Sequence, residues 1–208
     1  MLLTVDRFVL DPRYGENCWV VRAGEDAPAA VIDPGADPQP LLESGVDVAA
    51  ILVTHADVDH IGGVAELAER TGAEVWMPAV EADVLRRGLT RGGGRVRPHE
   101  PEHEVRGGDA VSVAGLAFEV VDVPGHSAGH VAYYVDGRLF SGDLLFEDSV
   151  GRVDLDGGDW QSLLDSIAAL VERYGPETAV YPGHGPVTTL GRELRSNPFL
   201  RELRTAAQ

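Results

Sequence analysis

The chain has 208 residues, 44% of them apolar, and a formal charge of −17 in which all 17 basic residues are arginine. The absence of lysine excludes Schiff-base chemistry and a P-loop phosphate lysine, and the acidic balance argues against a nucleic-acid binder, which needs a basic face. A single cysteine, Cys18, rules out an internal disulfide framework, the N-terminus lacks the pattern of a signal peptide, and no apolar run approaches the ~18 residues of a membrane span. The expectation is one cytoplasmic domain over residues 1–208, with no membrane or nucleic-acid partner and an oligomeric state that the sequence leaves undefined.

Residues 3–9 and 17–22 read as strands separated by the turn-rich Asp11-Pro12-Arg13-Tyr14-Gly15. A third strand over 29–32 ends in Asp33-Pro34-Gly35, where Asp33 suits equally a turn before proline and a support for a metal ligand. Residues 40–44 start a short helix, and 48–53 form a buried strand. That strand runs into Thr54-His55-Ala56-Asp57-Val58-Asp59-His60-Ile61-Gly62-Gly63, with four metal-capable side chains in six residues. A helix follows, its apolar positions Ile61, Val64, Leu67 and Ala68 at helical spacing and its stop at Thr71-Gly72.

A strand over 74–77 and a helix over 79–87 lead into a long connection over 92–108. Arg86, Arg87, Arg91, Arg95 and Arg97 cluster there and read as a solvated helix end and loop, with contact to an anionic ligand as the alternative. His99 and His103, among glutamates, read as surface residues, and Trp19 reads as core. Strands over 110–113, 116–123, 131–135 and 138–140 follow, joined by tight turns at Ala114-Gly115 and Asp136-Gly137. Asp159 caps a long helix whose apolar face includes Leu163, Leu164, Ile167 and Leu170, and Gly175-Pro176 ends it. A strand over 178–181 and a helical segment over 191–203, interrupted at Pro198, complete the chain. Strand-rich runs in both halves with interspersed helices favour two packed sheets flanked by helices.

Three more places carry a ligand-type residue on a glycine turn after an apolar strand: Pro124-Gly125-His126 with His130 close behind, Ser141-Gly142-Asp143, and Pro182-Gly183-His184. Glycine beside a ligand lets the backbone turn sharply and approach an ion closely. With the His55–His60 stretch they make four histidines and three aspartates, enough for two metal ions. This order of motifs resembles the metallo-β-lactamase-fold hydrolases from about residue 17 to 184, and Gly151-Arg152-Val153-Asp154 with Gly157-Gly158-Asp159 resembles the short glyoxalase II-like branch.

The resemblance implies an α/β fold, a four-layer αββα sandwich of two mixed sheets with the metal site along one edge. It implies one ion held by His55, Asp57 and His126, a second by Asp59, His60 and His184, and Asp143 bridging both, with His130 orienting a ligand from behind. The ions are divalent; zinc comes first, and iron or manganese also suit oxygen-rich two-histidine sites. The family pattern has histidine where this chain has Asp57, so a centre with two divalent ions and a bridging hydroxide is one unit less positive and a weaker Lewis acid. The bland alternative for Asp57 is a solvated loop residue beside a single ion.

The implied activity is hydrolysis of a small-molecule thioester, such as a hydroxyacyl-glutathione, by a metal-bound hydroxide, with Asp59 and Asp143 as catalytic residues. Arg152 is the candidate for a substrate carboxylate, or else an ion pair with Asp154 or Asp156. Twenty-four residues follow His184, too few for the C-terminal helical domain of long glyoxalase II enzymes. Two alternatives stand beside this one: a mononuclear iron persulfide dioxygenase using His55, His126 and Asp143, and a catalytically weak metal-binding protein.

Overall fold

Consecutive apolar residues in a strand point to opposite faces, so strands without polar alternation must be buried on both sides. That pattern sets the layering. The computed structural model describes residues 3–206. Strands β1 (Thr4–Phe8), β2 (Cys18–Arg22), β3 (Ala29–Ile32), β4 (Val48–Leu52), β5 (Glu74–Pro78) and β6 (His103–Val105) form one sheet in that spatial order. The β1–β2 and β2–β3 pairs are antiparallel, and the β3–β4, β4–β5 and β5–β6 pairs are parallel. Helices α1 (Gln39–Glu43), α2 (Val58–Ile61), α3 (Val64–Thr71) and α4 (Ala82–Arg87) come from the connections of this half.

The other half contains β7 (Ala110–Val113), β8 (Leu116–Asp122), β9 (Val131–Val135), β10 (Arg138–Gly142), a small hairpin of β11 (Leu145–Phe146) and β12 (Ser149–Val150), then β13 (Ala179–Pro182) and β14 (Thr188–Thr189). Its six-stranded sheet has the order β14-β13-β10-β9-β8-β7, antiparallel except for the parallel β10–β13 pair. Helices α5 (Trp160–Arg173), α6 (Leu190–Ser196), a 3₁₀ turn (Pro198–Leu200) and α7 (Arg201–Ala206) belong to this half.

Three apolar clusters follow from the alternation. Cys18 and Val20 of β2 pack with Ile51 of β4, Leu67 of α3 and Leu85 of α4. Their neighbours Trp19 and Val21 turn the other way, joining Leu52, Phe118, Tyr133 and Phe140 between the two sheets. On the far side Ala132, Leu139 and Val180 meet Leu163, Ile167 and Leu170 of α5. The layers are therefore helix, sheet, sheet, helix, as expected. No helix among the described residues is long and apolar enough to cross a membrane.

Three local differences have physical causes. The helix expected from Ile61 to Thr71 is split into α2 and α3 at Gly62-Gly63, because these glycines press against the Pro34–Ala36 turn: Gly63 N–H donates to the Pro34 carbonyl at 2.8 Å, and a Cβ on Gly62 would lie 2.3 Å from the Gly35 oxygen. Inside the long connection, β6 adds an edge strand that three residues of sequence could not announce. It is held by parallel pairing to β5 and by the His103 ring stacked on Trp76 at 4.3 Å. The small pairs β11–β12 and β13–β14 likewise exist through tertiary context. At the start of α5, Asp159 accepts a hydrogen bond from Ser162 N at 2.7 Å. Asp159→Ala is expected to cost about 1 kcal/mol, read as a lower urea midpoint at unchanged slope.

Candidate metal centre

Each ligand-type residue singled out in the sequence follows the C-terminal end of a strand. His55 and Asp57 lie in the loop after β4, Asp59 and His60 in α2, His126 between β8 and β9, Asp143 directly after β10, and His184 after β13. Parallel neighbours and the sandwich geometry bring these ends to one edge. His126 Nε2 is 3.1 Å from Asp57 Oδ2, and His55 Nε2 is 3.8 Å from the same oxygen. On the other side His184 Nε2 is 3.4 Å from Asp59 Oδ2. Asp143 stands between, with Oδ1 3.3 Å from His60 Nε2 and Oδ2 3.4 Å from His184 Nε2 and 3.7 Å from His126 Nε2. All seven predicted ligand residues thus converge, in the groups His55–Asp57–His126 and Asp59–His60–His184.

Close approach at the centre depends on glycine. A Cβ on Gly183 would lie 2.2 Å from Asp143 Oδ1, and Gly142, at φ +48°, would place one 2.4 Å from Thr54 Oγ1. The His184 turn is also tethered from β2 and its preceding loop: Asn17 Nδ2 donates to the Pro182 and Gly185 carbonyls at 2.8 and 2.9 Å, and Trp19 Nε1 to Pro182 O at 3.0 Å. Trp19 is core, as expected, but its indole N–H also fixes this turn.

Asp33 plays both parts that the sequence offered it. Its φ is +52°, a turn conformation, and its buried carboxylate accepts from Thr54 N at 2.7 Å, from Thr54 Oγ1 at 2.6 Å and from His60 Nδ1 at 3.0 Å. With its Nδ1 proton committed to Asp33, His60 aims Nε2 at Asp143. Thr54 Oγ1, having donated to Asp33, accepts from His55 Nδ1 at 3.0 Å, so His55 also aims Nε2 inward. Among the described residues His55 Nε2, His60 Nε2 and Asp143 Oδ1 are buried without a hydrogen-bond partner. Three orphaned lone-pair atoms facing one another fit a cation.

The electrostatics agree. Burial opposes charge on His60, but the Asp143 and Asp33 carboxylates raise its pKa well above the ordinary imidazole range. Burial likewise opposes charge on His184, yet Asp143 and Asp59 push it up to about 10. The centre thus stabilises positive charge at His60 and His184, whereas burial and the neighbouring histidines hold His55 well below the ordinary imidazole range. His130 sits behind: its Nε2 accepts from Asp143 N at 3.1 Å, and its ring stacks on His55 at 4.7 Å.

Two residues that hold the centre are not placed there by the sequence. Glu81, buried before α4, accepts from Ala56 N at 2.6 Å, from Gly129 N at 3.0 Å and from the Ser127 hydroxyl, locking the β4 and β8 loops together. Arg91 corrects the reading of the arginine cluster. Arg86 pairs with Glu100 and Glu104, and Arg97 with Glu69, as a solvated surface would. Arg91 instead turns inward, only 12% exposed, and clamps Asp57 with two bonds of 2.6 Å. Asp57 is therefore not a solvated loop residue; its side chain is 15% exposed. Burial would raise its pKa, but the Arg91 guanidinium holds the carboxyl far below the usual range. Only charge logic hinted at this partner, since a buried aspartate beside histidines calls for an arginine and spacing cannot say which.

The centre opens into a cleft of about 560 Å³ walled by Tyr14, Phe146, Val150 and Leu155. Arg152 also lines it, exposed and engaged with Asp154 at 2.6 and 2.8 Å, the ion pair that was its alternative reading. His103 is absent from this wall and pairs with Glu74 at 2.9 Å, matching its reading as a surface residue, whereas His99, also absent from the wall, is only 21% exposed with its Nε2 buried.

Back-to-back sheets with a histidine–aspartate cluster at the strand ends define a metallohydrolase scaffold. Residues 11–184 match the model of the metallo-beta-lactamase superfamily. The chain is 30% identical over 199 residues to "Hydroxyacylglutathione hydrolase GloC" of Haemophilus influenzae, covering 90% of this chain and 93% of the relative. Among solved structures it is similar to the BLEG-1 B3 metallo-beta-lactamase, with a TM-score of 0.88, 34% identity and coverage of 95% of this chain and 100% of that one. It is also similar to TTHA1623 in a di-iron-bound form, with a TM-score of 0.82, 40% identity and coverage of 94% and 100%. The chain belongs to the metallo-beta-lactamase superfamily and is a metal-dependent hydrolase of that family.

Proposed function

We propose that the protein hydrolyses a small hydroxyacyl thioester, of the glutathione or a comparable thiol, using divalent metal held by the converging histidines and aspartates. The observation that carries this reading is the set of inward-facing orphaned atoms on His55, His60 and Asp143, the last of which lines a partly apolar cleft. Similarity along nearly the whole length to a relative named as a hydroxyacylglutathione hydrolase supports the substrate class. Asp59, His60, Asp143 and His184 form the ion position, and His55, Asp57 and His126 stand beside it as a second group of ligand-type side chains. Zinc suits these donors, and iron gains support from the relative described in a di-iron-bound form.

When bound, the metal supplies a Lewis acid for the carbonyl and acidifies water. The chain supplies the rest. Asp59, facing the cleft beside His184, takes up the proton of the attacking water and orients it. Phe146, Val150 and Leu155 exclude bulk water and receive the acyl group. Arg152 has an exposed and hence weak pair with Asp154, which it can exchange for a substrate carboxylate. Water adds across the C–S bond, giving a carboxylic acid and a free thiol.

Release of thiol from a hydroxyacyl thioester of glutathione, followed with a thiol reagent, tests the reading. Activity is expected from metal-loaded protein, to disappear with chelator and to return with added divalent metal. Failure to release thiol when loaded, or oxygen uptake with a glutathione persulfide in its place, would remove the thioesterase assignment.

A further inference from the structure

Arg91 has no place in that scheme, yet its guanidinium is committed to the centre. Nε and one terminal nitrogen hold Asp57 at 2.6 Å each, and that same terminal nitrogen lies 2.7 Å from His126 Nε2. The other terminal nitrogen donates to the His126 carbonyl. His126 Nδ1 is 2.8 Å from the Arg152 carbonyl oxygen, so Nδ1 carries the ring proton and Nε2 presents its lone pair. An imidazole nitrogen has one lone pair. It can accept from a guanidinium N–H or bind an ion, not both.

An ion between His55, Asp57 and His126 would therefore have to dislodge the guanidinium from His126 and then sit beside its charge. The guanidinium is held there by Asp57 and the His126 carbonyl, and the backbone that carries it is itself fixed. Thr90 N donates to Gly94 O and Gly93 N to Thr90 O, both at 2.9 Å, and Gly94 packs so closely on Val58 that a Cβ there would approach it to 3.0 Å. The other position has no such competitor: among the described residues no arginine pairs with Asp59, His60 or His184.

We propose that Arg91 makes the two positions unequal: Asp59, His60, Asp143 and His184 hold one tight ion, while the guanidinium keeps the His55–Asp57–His126 position closed to metal. This inference rests on the metal-dependent reading above, and it places a fixed organic cation where the family resemblance implies a second ion. Asp57 and Arg91 then act as a pair, the carboxylate holding the guanidinium in place rather than binding metal.

The test is the zinc content of full-length protein, loaded with excess zinc, gel-filtered and measured by elemental analysis, with zinc titration calorimetry alongside. Wild type is expected to retain one ion per chain. Arg91→Met, which keeps the length and removes the donors, is expected to retain two, with affinity at the freed position about 10- to 100-fold higher, the scale of a lost charged hydrogen bond. His55→Ala is expected to keep the single wild-type ion and His184→Ala to lose it. Two tight ions in wild type, one ion in a folded Arg91→Met protein, or the reverse pattern in the histidine variants overturns the proposal. Retention of no zinc by wild type would instead sink the metal-dependent reading and this proposal with it, and the wild-type count decides even if a variant fails to fold.

Discussion

Asp143→Asn is expected to lower thioester hydrolysis by about 10²- to 10³-fold while leaving the fold in place. The substitution removes charge at nearly fixed shape. Asp143 Oδ1 faces His60 and Oδ2 faces both His184 and His126, so a single carboxylate serves both ligand groups. Burial would raise its pKa, but the His60 and His184 rings hold it well below the usual carboxylate range, so its negative charge is fixed in the native state. Asparagine has nearly the same volume. The backbone N–H at 143 still donates to His130 Nε2, which keeps the residue in position. What is lost is the charge that favours a cation between His60 and His184, and one of its ligand atoms. kcat/KM, zinc content and far-UV circular dichroism measured on one preparation separate the possibilities. Activity within a few-fold of wild type at full zinc content would deny Asp143 its central place.

The arrangement of the centre was legible from the sequence because each ligand follows an apolar strand, and His126, Asp143 and His184 each sit beside a glycine. His126, Asp143 and His184 are 58 residues or fewer from one another in sequence, yet nothing local joins them. Their common position after a strand is what carries them to one edge once the sheets form. The layering was legible for a related reason: Cys18 to Val21 is apolar without alternation, which only a strand buried on both faces tolerates. Glu81 and Arg91 were not legible, because each acts through the direction of a long side chain rather than through a periodic position. Glu81 reaches three donors on two loops, one of them 48 residues away, and no spacing rule encodes such a contact. Arg91 was one of five arginines in a short stretch, and burial alone tells it from Arg86 or Arg97. The split of α2 from α3 was hidden for the same reason. Gly62-Gly63 is tolerable inside a helix until the Pro34–Ala36 turn is pressed against it.

Asp33→Ala is expected to destabilise the metal-free protein by about 3–5 kcal/mol and to weaken metal binding by about 10- to 100-fold. Asp33 is 2% exposed and meets three donors, Thr54 N, Thr54 Oγ1 and His60 Nδ1. Removing the carboxylate strands all of them in the interior. It also frees Thr54 Oγ1 to turn from acceptor to donor, which unsettles the His55 tautomer that aims Nε2 inward. The stability measurement belongs on chelator-treated protein, since bound metal stabilises the fold by mass action and would merge the two effects. Asp33→Asn separates the turn from the acceptor role, because asparagine tolerates the φ of +52° but offers an N–H₂ toward groups that already donate. An intermediate loss of both stability and zinc affinity is therefore expected. If Asp33→Asn matched wild type in both, the turn alone would explain this residue, and the orientation of His60 would have to come from the packing of its ring.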